Sequence, residues 1–229
     1  MKYCLMLGVI AVCAMASVRA EVAAEQRIPE GTLTPRPHGP EWQDLLTVEN
    51  AAEWRSNIKT ADVFEIREGT LHVFGKESGA HIGYMKERLR DFQLHVEFKT
   101  SPKANSGILL RGEQDDPLFT GIEIQVFEDY GGHPTRFSCG ALYGVATPMF
   151  NPSKPAGEWN SFDITCHERT LIVVFNGWKI LDVDLARLTM PLGRLPKPYA
   201  QLSLDGYLFV QDNVGDVWYR NIVLKKLES

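Results

Sequence analysis

From Trp42 onward, apolar residues recur at every second position in short runs broken by Gly, Pro and Asn. This pattern constrains the fold more than any other feature of the chain. Phe92, Leu94, Val96 and Phe98 fall on one face of a strand and Gln93, His95, Glu97 and Lys99 on the other, as in a half-buried strand with a solvated side. Leu171 to Phe175, Asn176-Gly177 and Trp178 to Val183 read as a hairpin whose two turn residues suit type I′ geometry. Val217 to Lys226 supplies a closing strand. Further strands are expected at Val63 to Ile66, Thr70 to Phe74, Ile82 to Tyr84, Gly107 to Arg111, Gly121 to Phe127, Leu142 to Val145, Trp159 to Thr165 and Gln201 to Leu204. Helical turns are expected only at Asn50 to Arg55 and Leu185 to Leu188. About ten short strands without a long helix predict an all-β, antiparallel β-sandwich in a single domain.

The amino terminus sets the compartment. Lys2, an apolar run from Tyr3 to Ala16 and then Ser17-Val18-Arg19-Ala20 form a secretory signal over residues 1–20, too short and wrongly flanked for a membrane span. The expected location is periplasmic or secreted. Residues 21–41, rich in proline and poor in apolar residues, read as a flexible lead-in to a domain over 42–229. The chain has 24 basic and 29 acidic residues, and signal removal takes away only Lys2 and Arg19, so the net charge of −5 becomes more negative. An acidic surface argues against nucleic acid and anionic membranes as partners. Cys139 and Cys166 remain after cleavage, in a compartment where a disulfide persists, and nothing in the sequence says whether they meet. No metal-type cysteine or histidine spacing, phosphate loop, dinucleotide fingerprint or nucleophile elbow occurs.

Three stretches place polar groups on otherwise apolar strands: Asn105-Ser106-Gly107-Ile108-Leu109-Leu110-Arg111-Gly112, Gly121-Ile122-Glu123-Ile124-Gln125 and Gly140-Ala141-Leu142-Tyr143-Gly144. Side chains two apart share a face, so Glu123 and Gln125 point together while Ile122, Ile124 and Val126 enter the core. Arg111 stands opposite Ile108 and Leu110 by the same parity. An arginine, a carboxylate and an amide on one sheet face suggest a polar-ligand groove.

These stretches, with Lys154-Pro155-Ala156-Gly157-Glu158-Trp159-Asn160 and Val217-Trp218-Tyr219-Arg220-Asn221-Ile222, resemble the 3-keto-disaccharide hydrolase domain family, in the family's order and from about Trp42 to Leu227. The resemblance implies a concanavalin-like jelly roll and attack on glycosides already oxidised at C3 of the sugar. A C3 carbonyl acidifies the C2 proton, so a base can remove it, a cation can hold the enediolate, and the C1 leaving group departs before water adds. Acid–base help is worth about 10²–10⁴ in rate and an oxyanion donor about 10²–10³. The implied roles are Glu123 as base or proton carrier, Arg111 as oxyanion clamp, and Gln125 and Tyr143 on sugar hydroxyls, with Glu128, Lys154, Glu158, Trp159, Gln211, Asp212 and Asn213 as further substrate contacts. One departure stands out: where the family shows Gln-Asp-His-Gly, this chain has Gln211-Asp212-Asn213-Val214. His133, in the loop after Glu128-Asp129-Tyr130, is the candidate to replace the absent histidine. The chemistry also implies a sugar 3-dehydrogenase upstream as a functional partner.

Two other readings compete. Glu123-x-Gln125-x-x-Glu128 approaches the Glu-x-Asp-x-x-Glu strand of laminarinase-type glycosidases, in which a bulge brings the third acid onto the face of the first; here the middle acid is Gln. Alternatively, the same fold serves laminin-type modules, lectins and other non-catalytic carbohydrate-binding modules. No cofactor is certain; a divalent cation with oxygen ligands at Glu123, Glu128 or His133 stays open. On structural grounds alone, Trp159 is a core plug, Glu158 pairs with Lys154 or a nearby arginine across the turn, Arg220 and Asn221 hold the last strand, and His95 and His167 lie on solvated faces without a role.

Overall fold

The computed structural model describes residues 31–59 and 62–228. The expected signal segment and the start of the expected lead-in lie outside the described residues. The chain runs β1 (Gln43–Asp44), α1 (Val48–Ala51), β2 (Trp54–Ser56), β3 (Phe64–Arg67), β4 (Thr70–Val73), β5 (Ala80–Leu89), β6 (Phe92–Thr100), β7 (Asn105–Gly112), α2 (Pro117–Thr120), β8 (Ile122–Phe127), β9 (Trp159–His167), β10 (Thr170–Phe175), β11 (Trp178–Asp184), β12 (Gly206–Asp212) and β13 (Val217–Lys226). Short 3₁₀ turns occur at Leu185–Arg187 and Tyr199–Gln201. Among the described residues no helix is long and apolar enough to cross a membrane.

Two antiparallel sheets make the jelly-roll sandwich. One has eight strands, in the order β11-β10-β9-β6-β13-β4-β3 with β1 also on β13; the other has five, in the order β2-β5-β12-β7-β8. The apolar faces meet in a core where the rings of Phe98, Phe162 and Phe175 pack with centroids 4.6–5.9 Å apart. Tyr219 of the larger sheet joins Ser106 of the smaller one, Oη to Oγ at 2.8 Å, so a buried phenol is satisfied inside an otherwise apolar layer. The β10–β11 turn has Asn176 and Gly177 at φ 47° and 83°, the left-handed pair that a type I′ hairpin needs.

Some strand expectations fail for identifiable reasons. Gln201 to Leu204 is no strand; the 3₁₀ turn ends at Gln201, the chain is irregular to Asp205, and β12 begins at Gly206. Leu142 to Val145 is too tightly turned for a strand and contributes an isolated bridge, Leu142 to Ile124. Of the expected lead-in, residues 31–41 include a stretch that docks on the larger sheet: Thr34 N donates to Ser161 Oγ at 2.8 Å, and Arg36 pairs with Asp44 at 2.9 Å. Cys139 and Cys166 are separate buried free thiols.

One irregularity decides where the site lies. Tyr207 pairs with Gly112 and Phe209 with Leu109, so Leu110 and Arg111 together oppose the single residue Leu208. This is a β-bulge, with Arg111 at φ 55°, and the extra residue reverses side-chain parity beyond it. Gly206 is required where β12 crosses the bulge, since a Cβ there would sit 2.3 Å from the Arg111 carbonyl carbon.

Candidate functional site

Register across the five-stranded sheet sets His81 beside Gln211, Val210 beside Ile108 and Gly107 beside Gln125. His81, Gln211, Gly107 and Gln125 therefore form a row on the face away from the core, with Gly83, Phe209, Leu109 and Glu123 in the next row. The Gly140–Gly144 stretch zips onto the outer edge of β8. Gln125 N donates to Ala141 O, Gly140 N to Gln125 O, and Tyr143 N to Glu123 O, at 3.0, 2.8 and 3.0 Å. Gly140 and Gly144, at φ 80° and 73°, give this segment its turns, and a Cβ on Gly144 would lie 3.2 Å from the Gly193 Cα. Through that contact the 190–195 loop closes over β8.

Glu123, 4 % exposed, is the chemical centre of this face. Its Oε2 accepts from Arg194 Nη2, and its Oε1 occupies the space a side chain at residue 107 would take, 2.5 Å from an ideal Cβ on Gly107. The Arg194 guanidinium also lies over the Tyr143 ring, 4.1 Å from its centroid. Gln125 Nε2 donates to Asn105 Oδ1 at 3.0 Å, and the opposite amide orientation would instead put the nitrogen 3.0 Å from Ser106 O and 3.2 Å from Glu123 Oε1. Burial pushes the Glu123 carboxyl up to about 7 even though Arg194 pulls it down. Tyr199, buried in the second 3₁₀ turn, has its phenol pushed up by burial and then by the Glu123 charge. His81 is 4 % exposed, and neither ring nitrogen has a hydrogen-bond partner. Burial, followed by the Arg194 charge, lowers it to about 4, so the imidazole is neutral near pH 7. A carboxylate poised near neutrality, a fixed cation and an unpartnered neutral imidazole can accept, hold and relay protons around a polar ligand.

Of the residues expected in the site, the structure gathers Glu123, Gln125, Tyr143 and Gln211, and it disperses the others. The bulge turns Arg111 into the interior, where it is 2 % exposed. There its guanidinium donates to Arg90 O and Glu168 O at 2.7 Å each and pairs with Asp91 at 3.2 Å. The shared face expected for Arg111 and Glu123 is thereby corrected. Glu128 stays opposite in parity to Glu123, because β7 and β8 pair without a register shift, and it accepts from Lys103 N at 3.1 Å. The bulge that the laminarinase-type reading requires is absent from β8. His133 is exposed in the following loop, its carbonyl accepting from Ser138 Oγ. Lys154 N donates to Asn160 Oδ1, and Glu158 is exposed. Trp159 is neither core plug nor part of this site: it lies on the larger sheet, its ring 3.9 Å from Arg220 and 5.1 Å from Lys99. Asp212 falls on the alternate parity and accepts from Glu77 N at 3.1 Å, and Asn213 accepts from Ser78 Oγ at 3.0 Å. His95 is fully buried and bonded to Asp163 at 2.7 Å, not solvated. Among the described residues no three His, Cys, Asp or Glu side chains are grouped to hold a metal ion, and Glu123, Glu128 and His133 do not converge.

Reasoning from sequence missed Arg194, His81 and Tyr199. Parity could have found His81, which alternates with Ile82 and Tyr84. Arg194 lies in Pro191-Leu192-Gly193-Arg194-Leu195-Pro196, whose punctuation marks a loop without saying where it reaches.

A jelly-roll sandwich with a charged polar site on one sheet face is the architecture of a carbohydrate-active domain, and the resemblances are to such proteins. The chain belongs to the 3-keto-alpha-glucoside-1,2-lyase-like domain family, whose model matches residues 41–225. It is 25 % identical over 175 residues to a 3-keto-disaccharide hydrolase of Bacteroides thetaiotaomicron, a match covering 62 % of this chain and 60 % of that relative's length. A solved Parabacteroides distasonis protein provisionally classed as a glycosyl hydrolase superposes with TM-score 0.70 at 27 % identity, covering 81 % of this chain and 99 % of that one. A second such protein from that organism gives 0.69 at 20 %, covering 85 % and 100 %.

Proposed function

We propose that this protein cleaves 3-keto-glycosides by elimination followed by hydration, with Glu123 as base and Arg194 in the clamping role that the sequence alone suggested for Arg111. The observation that carries the reading is the buried Glu123 carboxylate, bonded to the Arg194 guanidinium through one oxygen and lying over the side-chain-free Gly107 with the other. Family membership and the Bacteroides relative support it. Glu123 takes the C2 proton; the released electron pair forms C1=C2, and the C1–O bond breaks with its pair on the leaving oxygen. Arg194 stabilises the enediolate that develops between C2 and C3. Water then adds, its hydroxyl to C1 and the proton held by Glu123 back to C2, while the water's own proton ends on the released leaving oxygen. The neutral His81 and Gln211 supply hydrogen bonds to sugar hydroxyls or the entering water. The reading also includes an exported protein and an upstream sugar 3-dehydrogenase that introduces the keto group.

Asn213 in place of the family histidine favours a second reading, a non-catalytic carbohydrate-binding module. Mass spectrometry of the purified protein incubated with a 3-keto-glucoside and with its unoxidised parent, each with and without chelator, separates the two. Release of aglycone from the keto form alone is expected, and chelator sensitivity would add a metal. Cleavage of the parent, or of neither, overturns the proposal in favour of an ordinary glycosidase or a binding module respectively.

A further inference from the structure

Arg194 and Tyr143 do more than flank Glu123, for the two segments that carry them also present an apolar lip to solvent. Phe137 is 44 % exposed, Leu192 38 % and Met190 70 %. Single exposed apolar residues are ordinary, but these three belong to the two chain segments that meet beside the Glu123 carboxylate. The Phe137 ring packs edge-on to Tyr143 with centroids 5.3 Å apart, and Tyr143 in turn carries Arg194 on its face. The Phe137 Cε1 and the Gly193 Cα lie 3.7 and 3.2 Å from the point where a side chain on Gly144 would begin. Two glycines in contact thus let the 136–145 and 190–195 segments close together, bringing Phe137 toward the residue after Leu192. Arg136 lies over Phe137, 5.0 Å from the ring centroid, and adds a cation–π contact to the ring.

We propose that this lip is the leaving-group subsite and that it selects glycosides with a flat, apolar aglycone of the phenol type over glycosides whose leaving group is a second sugar. The inference rests on the 3-keto-glycoside reading and deepens it. A sugar in that position would need its several hydroxyls matched by polar groups, and Phe137, Leu192 and Met190 offer none, with only the Arg136 guanidinium over the Phe137 ring beside them. A phenyl ring buries its faces against them, a contact worth about tenfold or more in discrimination. The chemistry agrees. The C1–O bond breaks with its electron pair on the aglycone oxygen, and a phenol, as acidic as a tyrosine side chain, departs as a phenolate that takes its proton from water. A sugar hydroxyl is a far weaker acid and needs a proton supplied as it leaves.

The test compares phenyl 3-keto-glucoside with a 3-keto-disaccharide of the same anomeric configuration, using the full chain and the variants Phe137→Ser and Leu192→Ser. The wild type is expected to show kcat/KM about tenfold higher for the phenyl compound, and each variant to bring the ratio of the two efficiencies toward one through the KM of the phenyl compound. Equal efficiencies, or variants that affect both substrates alike, overturn the subsite. Should neither compound be cleaved, the hydrolase reading falls and the lip is judged by binding alone. Phenyl 3-keto-glucoside should then bind about tenfold more tightly than the methyl compound, and equal affinities would overturn the lip.

Discussion

Arg194 donates to the buried carboxylate of Glu123 from a loop 71 residues farther along the chain. The two influences on Glu123 oppose each other: removal from water favours the neutral acid and the guanidinium favours the carboxylate. Removal from water prevails and leaves the group titrating near 7. A carboxylate fully stabilised by its cation would be a poor base, and an unpaired one would be protonated. This pair lies between those limits.

If Glu123 is the base, kcat/KM should rise tenfold per pH unit and level off near pH 7. Arg194→Met removes the charge that lowers Glu123, so the break should move to higher pH and the plateau should drop about 10²–10³-fold. A pH–rate profile of the variant checks both, and an unmoved break would separate Arg194 from Glu123.

Gly107→Ala should affect the same carboxylate sterically. The new methyl group would stand 2.5 Å from Glu123 Oε1, so the carboxylate must leave its position. Loss of activity by about 10²-fold or more is expected from a displacement of this kind, with the fold retained. Circular dichroism and steady-state kinetics on one preparation read the two together; full activity would mean that the carboxylate works from elsewhere.

Period-two alternation made the sandwich legible because each sheet has one face in the core, and Glu123 and Gln125 were legible as polar groups at alternate positions of an apolar strand. The error on Arg111 has one physical source. A bulge adds a residue without changing composition, so parity counted from Ile108 is right through Leu110 and reversed at Arg111. Arg194 was hidden because a loop residue's reach depends on tertiary closure, here the Gly144 and Gly193 contact. Trp159 could not be placed because the sequence does not say to which sheet a strand belongs.

Arg111→Met separates a structural from a catalytic arginine. Its guanidinium joins the bulge to Arg90 O, Glu168 O and Asp91, so the variant takes the donor from two backbone carbonyls and one of two arginines from Asp91, which keeps Arg90 at 3.3 Å, and should lose about 1–3 kcal/mol in urea unfolding. The protein that still folds should keep its KM and pH–rate break. Normal stability with a collapsed kcat would return Arg111 to the oxyanion role.

The pH dependence of stability should show Glu123 and His81 opposing each other. Glu123 titrates near 7 folded and near 4.5 unfolded. Between those values the folded chain binds the extra proton, so its contribution falls as pH rises, by about 3 kcal/mol across the window. His81 titrates near 4 folded and near 6.5 unfolded. There the unfolded chain binds the extra proton, so its contribution rises with pH by a similar amount, about 3 kcal/mol. In the wild type the two slopes nearly cancel where the windows overlap. Relative to wild type, Glu123→Gln should therefore gain stability as pH rises from 4.5 to about 7, and His81→Gln should lose it between about 4 and 6.5. Urea midpoints of the three proteins across that range measure both differences, and other titrating groups cancel in the comparison. Parallel curves would mean that neither group is held in the buried state on which the proposed site depends.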